Sequence, residues 1–201
     1  MSRLVAPVRR PVRPTDLVEA EAVGAAKVEA PVVDFDDLLS HAHDLAADQV
    51  FICLGTTMKK AGSRDAFRRV DLDAVVAAAE SALSAGARDA FLVSSVGADP
   101  TARGFYLRTK GEAEAAMAAL PFRSVQIARP SVLTGHRREF RPAERVGILL
   151  AGLLTPLMLG SARRYRPIPA ERVARALVVI ARDPRPGLHV YESERLARLG
   201  A

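Results

Sequence analysis

Tyr106 and Lys110 stand four residues apart in the stretch Gly104-Phe-Tyr-Leu-Arg-Thr-Lys-Gly-Glu-Ala-Glu114, where an alanine-rich helical pattern begins. Residues i and i+4 of a helix share a face, so a phenol and an ammonium can aim at one point. A phenol alone titrates near about pH 10 and is a poor acid–base group at neutrality. An ammonium about 5 Å away, at an effective dielectric of about 20, favours the phenolate by about 3 kcal/mol. Desolvation opposes this, so the figure is an upper one; the direction suits proton transfer. Ser95 precedes Tyr106 by eleven residues and Ser94 by twelve, and either hydroxyl can hydrogen-bond a substrate carbonyl or alkoxide. Tyr-x-x-x-Lys occurs by chance in many helices. Its weight here comes from opening the helix that follows the buried run Leu-Val-Ser-Ser.

The elements that must hold these residues are legible as alternating apolar runs and helical patterns. Extended runs are expected at 3–8, 27–33, 50–54, 90–94, 124–128 and 188–191. Helices are expected at 35–46, 64–84, 105–120, 142–159, 172–182 and 194–199, with a polar loop at 55–63. Apolar strands joined by helices imply a parallel sheet covered on both faces, a doubly wound α/β domain. No repeat, low-complexity segment or clear linker divides residues 1–201, so one domain is expected, with 142–201 as its substrate-side segment. Ligands of such sheets bind beyond the carboxyl ends of the strands. That singles out Arg9-Arg10, Leu54-Gly55-Thr56-Thr57, Ser94-Ser95 and Arg129-Pro130-Ser131.

Composition narrows the partners. The 201 residues carry a net charge of +6, but the cations are spread along the chain with no zinc-finger, RNP or basic-zipper pattern, so a solvated surface is expected rather than nucleic-acid binding. The single cysteine, Cys53, excludes an internal disulfide framework and reads as a buried strand residue. Of the four histidines, only His41 and His43 are near each other, and they alternate across a polar helix, so no metal site is expected. The longest apolar run, 146–160, contains Pro156 and is short for a membrane span of about 20 residues. No stable span and a cytoplasmic location are the expectations. His136, Lys59-Lys60 and the basic run 163–166 read as exposed surface.

Together, "VSSVGA", "YLRTKGEAE" and "ARPSVLTG" resemble the atypical short-chain dehydrogenase/reductases, most closely the branch of HIV-Tat-interacting-oxidoreductase-like proteins. The segments "CLGTTMKKAGS", "FRRVDLDAV" and "RREFRPAER" are similar to the same branch, and the likeness runs from about residue 3 to about residue 169. It implies a Rossmann-type fold and a nicotinamide cofactor. Tyr106 then matches the catalytic acid–base, Lys110 the lysine that holds the nicotinamide ribose, and Ser95, less well Ser94, the serine that polarises the substrate oxygen. Leu54 and Gly55 would lie against the cofactor, and Leu133 and Arg141 would line its end of the site. Arg9 and Arg10 fall where the family reads the adenosine ribose, and arginine there pairs with the 2′-phosphate, favouring NADP over NAD. Arg129-Pro130-Ser131 stands where Arg-Pro-Gly is usual.

One family feature is missing from the residues. The first strand, its glycine-rich turn and the following helix have no counterpart; the first glycine is Gly24, without partner glycines. The turn normally cradles the pyrophosphate on backbone N–H groups, so poor NADP binding, or none, is expected. The missing strand is central in the family's sheet, and without it the sheet must either gap or re-pair. The resemblance implies an NAD(P)-dependent oxidoreductase acting on a small carbonyl or alcohol. A non-catalytic Rossmann-like regulatory protein and a sugar-nucleotide epimerase or dehydratase relative are the alternatives; oligomeric state is not legible.

Overall fold

The computed structural model describes residues 3–12, 27–35, 37–135 and 160–201. Strands β1 (Arg3–Val5) and β2 (Lys27–Glu29) pair in parallel, with Arg3 opposite Lys27 and Val5 opposite Glu29. The pairing continues past them: Val8 bridges Val32, Val8 N–H donates to Pro31 O at 2.9 Å, and Val33 N–H donates to Val8 O at 3.0 Å. A 3-10 helix follows at Leu38–Leu45, capped by the Asp37 carboxylate. Strand β3 (Gln49–Ile52) then opens a second sheet.

After β3 a single turn, α1 (Met58–Ala61), is capped by Thr57 and stopped by Gly62 at φ 78°. Helix α2 (Arg64–Arg68) runs through a π turn, Arg69–Asp73, into α3 (Ala74–Ser84). Strand β4 (Asp89–Val93), helix α4 (Phe105–Ala119) and strand β5 (Ser124–Arg129) come next. A short parallel pair, β6 (Leu133–Thr134) with β7 (Ile168–Pro169), precedes α5 (Ala170–Arg182), β8 (Gly187–Glu192) and α6 (Ser193–Leu199).

The second sheet has the order β3–β4–β5–β8, all parallel. Strand β4 is apolar on both faces because both are covered, whereas β5 is apolar on one face and carries the buried, hydrogen-bonded Ser124 and Gln126 on the other. Ala90, Leu92, Val125 and Ile127 pack with Val75, Ala79, Ala113 and Met117 of α3 and α4. On the opposite face Phe91 and Ala128 pack with Val173, Ala176, Leu177 and Ile180 of α5 and Leu196 of α6. This is the doubly wound α/β arrangement expected from the sequence.

The sheet gaps rather than re-pairs. Among the described residues β1 pairs with β2 and β3 with β4, and no strand lies between β1 and β3. Apolar side chains at the two edges stay open: Leu4 is 46 % and Phe51 42 % exposed. Stacking of Phe51 on Phe91, centroids 4.4 Å apart, covers one ring face. The two sheets remain tied through the 3-10 helix, whose Leu38 carbonyl accepts from Ser81 Oγ of α3 at 2.8 Å. Cys53, expected inside a strand, lies one residue past β3 and is exposed. The expected helix at 142–159 lies outside the described residues.

Gly111 sets how closely the loop after β4 can approach α4. A Cβ there would fall 2.2 Å from the Asp99 carbonyl carbon and the Pro100 nitrogen. The loop is braced by Asp99, which accepts from Thr101 N–H at 2.7 Å and Thr101 Oγ1 at 2.6 Å. Gly111→Ala is expected to cost about 1–3 kcal/mol or more, because backbone rather than a flexible side chain must move; urea unfolding measures it. The Thr101 bonds hold the Asp99 carboxyl below its usual range. A depressed carboxyl stabilises above its ordinary value of about 3.9 and loses that contribution as pH falls through the lower folded value. Protection of the Thr101 amide, measured against its intrinsic exchange rate at each pH, should therefore be lost only on acidification below that range, and Thr101→Ala should abolish the transition.

Candidate functional site

The carboxyl ends of β3 and β4 and the first turns of α4 meet at a buried ion pair. Lys110 Nζ lies 2.7 Å from Asp71 Oδ1, with Lys110 side chain 7 % and Asp71 1 % exposed. The second carboxylate oxygen, Oδ2, accepts from Thr56 N–H at 2.8 Å. Gly55 passes directly over the pair: a Cβ on it would sit 3.3 Å from Asp71 Oδ1 and 3.6 Å from Lys110 Nζ. The glycine therefore lets the loop close onto the charged pair, and any side chain there would press on it.

Asp71 is the residue that sequence reasoning missed. The useful signal was its spacing from apolar residues: Phe67, Asp71, Val75 and Ala79 recur every four residues, and all four are buried. A carboxylate on a buried helical stripe needs a partner. The π turn at Arg69–Asp73 carries it; such turns re-phase a helix locally and recur at functional sites.

Tyr106 lies one helical turn before Lys110, 41 % exposed, with its ring 5.8 Å from Phe67. Its hydroxyl has no hydrogen-bond partner among the described residues and is open to a ligand. Ser95 is half-buried, and its Oγ is 3.5 Å from Val96 O, too long for a strong bond. Ser94 is buried and its Oγ has no hydrogen-bond partner among the described residues; its N–H extends the ladder to Ala128 O at 2.8 Å. The structure thus joins Lys110, Gly55 and Thr56 through Asp71, and leaves the hydroxyls of Ser95 and Tyr106 without mutual hydrogen bonds.

The remaining sequence candidates separate. Arg9 lies past β1 with its guanidinium 5.1 Å from the centre of the Phe35 ring, beside a recess lined by Arg9, Val32, Val33, Asp34 and Phe35. Arg10 is exposed next to it. Leu54 packs partly into the core below Gly55, and Leu133 packs against the opposite core from β6. Arg141 lies outside the described residues, as does His136. Arg129, singled out by its place beyond the carboxyl end of a strand, is committed to ion pairs: its Nε donates to Glu114 Oε1 at 2.9 Å and its Nη1 reaches Glu192 Oε1 at 3.4 Å. Among the described residues no group of acidic, histidine or cysteine side chains is arranged to hold a metal, and no helix is long and apolar enough to cross a membrane.

No family model matches the chain. It is similar to HTATIP2 of Rattus norvegicus, 37 % identical over 175 residues that cover 86 % of this chain and 70 % of that protein. FMP52 of Eremothecium gossypii, named as mitochondrial, is 30 % identical over 87 % of this chain and 79 % of its own length. FMP52 proteins of several other fungi are named as mitochondrial too, which overturns the cytoplasmic expectation. Among solved structures, RMD from Pseudomonas aeruginosa complexed with NADPH shares the fold, with TM-score 0.64 and 14 % identity over 96 % of this chain and 78 % of that one. Sequence likeness and fold agree: the chain belongs to the atypical short-chain dehydrogenase/reductase family, in the branch represented by HTATIP2 and FMP52.

Proposed function

We propose that the chain is an NADP-preferring oxidoreductase acting on a small carbonyl or alcohol. The observation that carries this reading is the Lys110 ammonium, buried with its counter-ion directly beneath Gly55 at the carboxyl ends of β3 and β4. That is where ligands of a parallel α/β sheet bind, and the glycine leaves room for one to approach the backbone. The residues fit the two ends of a dinucleotide. Arg9 and Arg10 suit a 2′-phosphate, and Phe35 with Val32 suits an adenine face. Lys110 is held to Asp71 by charge, as an ion pair, and its N–H donors suit a ribose hydroxyl. No glycine turn in this sequence cradles a pyrophosphate, so affinity is expected to be weaker than micromolar.

When bound, NADPH supplies a hydride from nicotinamide C4. The protein's part is to handle the substrate oxygen. Ser95 Oγ, short of a strong partner of its own, donates a hydrogen bond to that oxygen and polarises the carbonyl. The Tyr106 hydroxyl, open at the first turn of α4, delivers the proton as negative charge develops. The Lys110 ammonium adds positive charge on the same helix face and favours that transfer electrostatically. In the alcohol direction the same groups run in reverse. Supporting this, the solved relative in fold is a complex with NADPH. A second reading, a non-catalytic regulatory protein, draws on the interruption between β1 and β3.

Titration calorimetry with NADPH and NADH separates the readings. The expected result is NADPH binding in the range of about 10–1,000 μM, with NADH weaker by about tenfold. Arg9→Ala should erase the preference. Tyr106→Phe should leave NADPH affinity unchanged while lowering carbonyl reduction by about 10²–10⁴-fold. Absence of any nucleotide binding, or full turnover by the phenylalanine variant, would sink the oxidoreductase reading.

A further inference from the structure

We propose that Asp71 is the positioning residue of this site, fixing the Lys110 ammonium and the Gly55–Thr56 backbone at one separation so that together they meet a ribose diol. The consequence for nucleotide binding rests on the oxidoreductase reading above. The holding itself is a property of the chain alone.

Asp71 is fully buried and engages two elements with two oxygens, Oδ1 in an ion pair with Lys110 Nζ at 2.7 Å and Oδ2 accepting from Thr56 N–H at 2.8 Å. A lysine has three N–H donors on a flexible stem. An ion pair at 2.7 Å limits where that stem can carry the donors. Anchoring Thr56 by the same carboxylate keeps the loop after β3 in register with that ammonium, although loop and helix are far apart in sequence.

Stability alone does not explain this arrangement. A buried ion pair is weak evidence for stability, and well-packed apolar residues at the same positions are often as stable or more so. Asp71 occupies a stripe whose other members are Phe67, Val75 and Ala79, where an apolar side chain would complete the core. Keeping a carboxylate there is accounted for by what it holds. The neighbouring charged pair on this side of α4, Arg68 with Glu112, is separate and more exposed.

The test uses Asp71→Asn in the full chain, because asparagine keeps an oxygen for Thr56 N–H and loses the charge that holds the lysine. Acetic anhydride labelling followed by mass spectrometry reads Lys110 against the exposed Lys59. In the native chain Lys110 should label more slowly than Lys59. In Asp71→Asn its labelling should rise by about tenfold and NADPH affinity fall by about tenfold, with Lys59 unchanged. Asp89→Asn, which breaks the distant Asp89–Arg123 pair at the start of β4, should destabilise the fold but leave Lys110 protected.

If the single variant does not fold, Asp71→Asn combined with Lys110→Met leaves no unpaired buried charge. If Asp71 acts through the lysine, this double variant binds NADPH no more weakly than Lys110→Met alone. Unchanged Lys110 labelling in Asp71→Asn, or an equal loss of affinity with and without Lys110, overturns the proposal. A native chain that binds no NADPH even at millimolar concentration sinks the oxidoreductase reading instead, and the labelling result still decides whether Asp71 holds the lysine.

Discussion

A charged ammonium taken out of water costs several kcal/mol unless an opposite charge and further hydrogen bonds receive it. Lys110 meets that condition through Asp71, and much of the local architecture follows. The helix running from α2 to α3 must turn one carboxylate into its buried stripe, and a π turn lies there. The loop after β3 must close over the pair, and Gly55 allows it. The carboxylate's second oxygen must also be satisfied, and Thr56 N–H does so. Lys110 is followed in sequence by Gly111, which allows the loop after β4 to cross the same helix at backbone contact. Two adjacent residues of α4 thus determine where the loops from two strands lie.

The strands below are a simpler matter of burial. Ala90, Leu92, Val125 and Ile127 face one pair of helices, while Phe91 and Ala128 face another. An all-parallel sheet with both faces covered must read as continuous apolar runs, which is why those strands were legible in the sequence and why the fold class followed. Among the described residues the sheet is interrupted between β1 and β3. The local effect is seen in Phe51, which stacks on Phe91 yet keeps one side open.

Other features could not be read from residue types. Strands β6 and β7 are two residues each, too short to show a period. The π turn leaves no mark in Arg-Val-Asp-Leu-Asp. Arg129 stood at the expected end of a strand, and its type alone could not reveal that Glu114, fifteen residues earlier on α4, already claims it. Cys53 continued an apolar run but fell just beyond the strand's last ladder residue, where alternation ceases to predict burial. Asp71 differs from these, because its four-residue spacing from Phe67 and Val75 was present in the sequence.

The two ends of the candidate site stand on different sheets. Arg9 and Phe35 belong to the β1–β2 side, whereas Lys110, Gly55 and Asp71 belong to the β3–β8 side. Among the described residues the connection between these sides runs through the 3-10 helix and its contact with α3 rather than through strand pairing. A ligand that engages both ends would therefore bridge a junction the backbone ladder leaves open. Any molecule that binds the folded chain and not the unfolded one adds stability by mass action. Here that gain would be concentrated at the junction, so occupancy of the site and cohesion of the two sheets are thermodynamically linked. On the proposed reading, the interruption would weaken the ligand's hold on the chain and make the chain's own integrity more sensitive to the ligand than an unbroken sheet would be.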